Sequence, residues 1–71
     1  MSRNEDVEPA VFTLKQASRY LRINAPQLRL MLLRGEIDCY VSPGGKEWRI
    51  PRVACDRYIA QQVEWFRRAM Q

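Results

Sequence analysis

Apolar positions along this chain keep one spacing, switch to another and then return to the first. Leu14, Ala17, Ser18 and Leu21 recur every three or four residues, as do Leu28, Met31 and Leu32. That is the period of helices with one face turned inward. Residues 38–41 (DCYV) and 48–50 (WRI) instead alternate and are rich in aromatic and branched side chains, the pattern of two short strands. From Cys55 the helical spacing returns, with Tyr58, Ile59, Gln62, Val63, Phe66 and Met70 continuing one stripe and Trp65 on its flank beside Tyr58. Residues 1–10 are polar and aperiodic, which predicts a flexible arm, so structure is expected to begin at Val11 and Phe12.

Cap residues sharpen these elements. Thr13-Leu14-Lys15-Gln16 reads as a capping box, in which the Thr13 hydroxyl accepts the Gln16 amide and the Gln16 side chain reaches back to the Thr13 amide. Asn24-Ala25-Pro26-Gln27 repeats the device, with Pro26 tolerated in the first turn, where amides have no helical partner. Gly35 after Arg34 is a stop signal. Two short helices joined by a turn of about three residues make a helix-turn-helix. A hairpin follows, with Ser42-Pro43-Gly44-Gly45-Lys46-Glu47 as its tip, and Pro51 is expected at the first position of a last helix about 27 Å long. The predicted fold is mainly α with a small β-hairpin: a winged helix-turn-helix.

The second helix turns Pro26, Gln27, Arg29, Leu30 and Leu33 outward, and two outward leucines need a reason. Either Leu33 packs under the hairpin and Leu30 against a neighbouring segment, or Arg29 and Leu30 enter a DNA major groove. There an arginine pairs with guanine or phosphate and an apolar group meets a thymine methyl.

Composition narrows the classes of function. The 71 residues make one small domain, a size that buries only about 60% of its unfolded surface. Residues 1–12 hold Glu5, Asp6 and Glu8 against Arg3, so residues 13–71 carry eleven bases and five acids, a net +6 suited to a polyanion. With two cysteines, Cys39 and Cys55, and no histidine, a structural zinc site lacks ligands, and no cofactor is expected. The polar, acidic start does not read as a signal peptide, so a reducing cytoplasm is expected, with both cysteines as small core residues. No nucleophile stands beside a base and no glycine loop cradles phosphate, so the protein is expected not to be an enzyme.

The run from Phe12 to Ile59 resembles the winged-helix DNA-binding domain of the phage excisionase family, which is related to the DNA-binding domains of MerR-type regulators. Phe12 to Ser18 match its apolar-Thr-apolar-Lys-Gln-Ala start, Ile23-Asn24 its turn, Gln27 to Gly35 its second helix and Trp48-Arg49-Ile50 its closing strand. Gly45-Lys46-Glu47-Trp48 matches the family's Gly-basic-Glu-aromatic wing. Departures are Asn24 where Ser is usual, Pro26 inside the helix, and Gln27 where Thr is common.

The resemblance implies that the second helix enters the major groove and the wing an adjacent minor groove of double-stranded DNA. Gln27, Arg29 and Leu30 then face bases, Asn24 lies at the helix start, and Lys46 borders the minor groove. Trp48 anchors the wing and Arg49 braces a phosphate. Lys15, beside the amides that open the first helix, suits phosphate, with Arg19, Arg22 and Arg34 as further phosphate candidates.

The family's members are recombination directionality factors that bind adjacent sites in a phage attachment region, bend the DNA and direct the phage integrase toward excision. By this reading residues 11–60 form the DNA-binding domain. Residues 61–71 extend the last helix, where Tyr58, Trp65, Phe66 and Met70 contact a head-to-tail neighbour or the integrase. The alternative for that helix is that it folds back and completes the core. Other functional readings are a small single-domain transcriptional repressor, and a peripheral module whose basic final helix (Arg52, Arg57, Arg67, Arg68) lies on an anionic membrane. Asp56 and Glu64 interrupt that basic face, and no membrane contact is expected. The place of action is the cytoplasm of a bacterial host, on DNA.

Overall fold

The computed structural model describes residues 10–71, and the arm expected over 1–10 lies, except for Ala10, outside the described residues. The elements run β1 (Val11–Phe12), α1 (Leu14–Leu21), α2 (Ala25–Leu33), β2 (Tyr40–Val41), β3 (Trp48–Pro51) and α3 (Arg52–Ala69). Three helices and a small antiparallel sheet thus make the winged helix-turn-helix that the spacing predicts.

Both bonds of the capping box at Thr13 form: its hydroxyl accepts the Gln16 amide at 3.1 Å, and its own amide donates to Gln16 Oε1 at 2.9 Å. At α2 only half of the device appears. Asn24 accepts the Gln27 amide at 2.9 Å, while the Gln27 side chain makes no return bond and is left exposed.

The turn between the helices is closed by backbone geometry. Arg22 takes a left-handed conformation (φ 59°), its amide donating to the Arg19 carbonyl and that of Ile23 to the Ser18 carbonyl. It is the one non-glycine residue with positive φ among the described residues. An L-residue pays about 1–2 kcal/mol for that conformation. Gly35 (φ 78°) closes α2 by the same pair of bonds without this cost, from its own amide to Leu32 and from the Glu36 amide to Met31.

The sheet has three strands, in the order β1-β3-β2, where two were expected. Val11 pairs with Pro51 and Phe12 with Ile50 on one side of β3; Tyr40 pairs with Arg49 and Val41 with Trp48 on the other. A two-residue strand shows no alternation, so β1 is visible only through its partner. The first wing strand is shorter than expected and begins at Tyr40. Cys39 packs against the core, and Asp38 pairs with Arg57 of α3 at 3.3 Å. Pro51 ends β3 and caps α3 instead of opening the helix. A fixed φ near −60° serves an extended N-cap as well as a first helical residue.

Phe12, Ala17, Leu28, Met31, Leu32, Ile37, Ile50, Ala54 and Cys55 form the core. The Phe12 and Tyr20 rings meet with centroids 4.9 Å apart, and the Tyr20 hydroxyl donates to Asp56 at 2.6 Å, tying α1 to α3. Cys55 is wholly buried and Cys39 partly so, and both are free thiols. Burial pushes the Cys55 thiol up to about 11, with the Asp56 carboxylate acting in the same direction, so its nucleophilic thiolate is suppressed.

Two measurements check this account. Leu28 is fully buried, so Leu28→Ala should cost about 2–5 kcal/mol, most of the 3–5 kcal/mol a core this small supplies, and urea titration should show the variant largely unfolded. Arg22→Gly relieves the left-handed strain and should raise the unfolding free energy by about 0.5–1 kcal/mol in the same titration.

Candidate nucleic-acid interface

Three elements distant in sequence converge on one groove. The start of α1 contributes Leu14 and Lys15, α2 contributes Arg29, and the wing contributes Lys46, Glu47 and Trp48. Together they line a shallow depression of about 300 Å³ beside the Thr13 cap. The structure therefore brings together Lys15, Arg29 and Lys46. They belong to separate elements, and only the packing of the wing against the helices unites them.

The wing tip shows how Lys46 is presented. Pro43 and Gly44 are the central residues of a turn closed by the Gly45 amide on the Ser42 carbonyl at 2.7 Å, and the Ser42 amide donates to the Glu47 carbonyl at 2.8 Å. Of the two tip glycines only Gly45 uses the left-handed region (φ 73°), so turn geometry does not require a glycine at Gly44. Lys46 follows directly after Gly45 and is exposed. Trp48 packs against the core and anchors the hairpin.

α2 presents its outer face beside this groove. Leu30 and Leu33 are 46% and 65% exposed, so neither is covered by the hairpin or a neighbouring segment. With Ala25, Pro26 and Arg29 they line a second, apolar groove, and Arg29 belongs to both grooves. Leu33 was legible in the sequence as an outward leucine, although it had no expected DNA role. Trp48 and Leu14 were legible only as packing residues.

The remaining expected contacts are distributed differently. Asn24 spends its side-chain oxygen on the α2 cap, so it positions the helix. Gln27, freed from a return bond, is exposed on the first turn of α2. Arg34 pairs with Glu36 at 3.7 Å and Arg49 with Glu47 at 3.5 Å. Arg19 is exposed in the last turn of α1 and lines neither groove.

Ion pairing divides the cations into two populations. Lys15, Arg19, Arg22, Arg29 and Lys46 have no carboxylate partner among the described residues. All lie on α1, the turn, α2 or the wing. The arginines of α3 are matched: Arg52 to Asp56 at 4.0 Å, Arg57 to Asp38 at 3.3 Å, and Arg67 and Arg68 to Glu64 at 3.2 and 3.1 Å. Exposed pairs contribute little to stability, typically about 0–1 kcal/mol, but they reduce the local positive field. The uncompensated positive charge therefore concentrates on the helix-turn-helix and its wing, where phosphate would meet it.

A model of a helix-turn-helix domain family matches residues 11–63 of the 71. The chain belongs to this family. No curated protein and no solved structure matches it. As a helix-turn-helix domain the protein is a DNA-binding unit, whose second helix is the element suited to the major groove.

Lys46→Ala should weaken binding to any duplex and reduce the slope of log affinity against log salt by about one, read by fluorescence anisotropy across a salt series. Arg67→Ala, at a paired position on α3, should leave that slope unchanged.

Proposed function

We propose that this helix-turn-helix protein is an excisionase: it binds adjacent sites in a phage attachment region, bends the DNA and directs integrase-mediated recombination toward prophage excision. It has no catalytic role of its own in this reading, and it acts on DNA in the cytoplasm of the bacterial host. The observation that carries the proposal is the uncovered end of α3. Ile59, Val63, Phe66 and Met70 fall on one stripe at 41%, 52%, 60% and 69% exposure, with Trp65 beside them at 66%. Beyond Tyr58, which packs partly against the core, every residue of the helix is exposed. The helix does not fold back to complete the core.

Burying an apolar side chain of this size is worth about 1.5–3 kcal/mol, so leaving five of them in water favours a partner. Bending a short site costs about 1–6 kcal/mol, which a small domain with few base contacts only partly offsets. Contacts between neighbours on the DNA make up the difference. A head-to-tail arrangement, in which the α3 stripe meets a different surface of the next copy, generates an open array along the attachment region and leaves a terminal copy for the integrase. An anionic membrane suits α3 less well, since Glu64 already engages Arg67 and Arg68.

Because Trp65 makes no core contact, Trp65→Ala should fold normally. Gel-shift titration of wild type on the attachment region should give stepwise, cooperative and bent complexes; the variant should keep single-site affinity and lose cooperativity. One non-cooperative wild-type complex would instead identify a one-domain repressor.

A further inference from the structure

The apolar groove on the outer face of α2 is unusual for a surface meant to meet DNA. Arg29 is its one charged group and the rest of its lining is Ala25, Pro26, Leu30 and Leu33, with exposed Gln27 on the same turn as Pro26. Arginine and glutamine supply hydrogen bonds to purine edges, but Leu30 and Leu33 can make none. The one base feature in the major groove that an aliphatic side chain recognises is the C5 methyl of thymine.

Two observations assign DNA, and not another protein, to this groove. Arg29 lines it and also lines the groove that holds Lys15 and Lys46, so the apolar and cationic surfaces meet at this residue. No carboxylate lines the apolar groove, and Arg29 is free of any ion pair among the described residues. A duplex seated on the cations, with α2 in its major groove, would bring base edges to Leu30 and Leu33.

The geometry points to a sequence preference read through thymine methyl groups, with Leu30 and Leu33, one helical turn apart, packing on two methyls beside the base pair that Arg29 contacts. This inference rests on the DNA-binding reading and adds to it the chemistry of the site. A surface of this kind discriminates thymine from cytosine and from uracil, which has the same hydrogen-bonding edge but lacks the methyl. Each buried methyl should be worth about a fourfold change in affinity.

The probe is a duplex recovered by repeated selection from a randomised pool with wild-type protein. Its thymines are then replaced one at a time by deoxyuridine, and affinity is measured by anisotropy. At two positions within one groove segment, the replacement should weaken wild-type binding about fourfold. Leu30→Ala and Leu33→Ala, both at exposed positions, should fold, and each should abolish the loss at one of those positions only.

Equal affinity for thymine and uracil at every position overturns the inference. If Lys46→Ala still weakens binding in that case, DNA binding itself stands and the leucines serve another partner, such as the α3 stripe of a second copy. Sedimentation of Leu30→Ala, showing reduced self-association, would then identify that partner. Failure to recover any duplex overturns the DNA-binding reading along with the inference.

Discussion

Ile50 is the residue through which the domain is held together. It is wholly buried on β3, the central strand, which pairs with β1 on one side and β2 on the other and packs against both α1 and α3. The wing is thus not an appendage. Its second strand is the middle of the sheet, and its position relative to the helices is set by the same buried side chain that closes the core. Only because this strand is clamped from both sides does Lys46, at the far end of a two-residue pairing, stay near Lys15 and Arg29.

The two helices of the DNA-binding motif depend on a second constraint, in their turn. Arg22 accepts a backbone conformation that glycine would adopt without strain, and the Asn24 cap then starts α2 two residues later. The packing of α1 on α2 follows from this short connection and from Ala17 and Leu28, both without exposure in the shared core.

Unpaired charge and exposed apolar surface are distributed unequally between the helix-turn-helix and α3. Lys15, Arg19, Arg22, Arg29 and Lys46 of the helix-turn-helix and wing stay unpaired among the described residues, while every arginine of α3 has a carboxylate partner and the end of that helix exposes aliphatic and aromatic side chains. The helix-turn-helix thus combines free cations with the Leu30 and Leu33 groove, and the end of α3 offers apolar surface without free cations. The core ends at Tyr58, so the rest of this 18-residue helix is exposed among the described residues.

Local chemistry was legible in the sequence wherever it depends on neighbours a few residues apart. The capping box at Thr13, the Asn24 cap, the Gly35 stop and the inward set of Leu28, Met31 and Leu32 all reflect hydrogen bonds or spacings within one helical turn, and each appears as expected. Features that need two distant segments were not legible. Strand β1 exists because Ile50 and Pro51 lie opposite it, and the tie from Tyr20 to Asp56 spans two helices. The choice between covered and uncovered Leu30, Leu33 and α3 likewise depends on where the hairpin and core end. The sequence by itself determined the three helices and the hairpin, their order and the basic character of residues 13–71. The tertiary structure alone decided which cations remain unpaired, which of them share a groove and which apolar side chains face water, because these depend on distances between segments that periodicity does not encode.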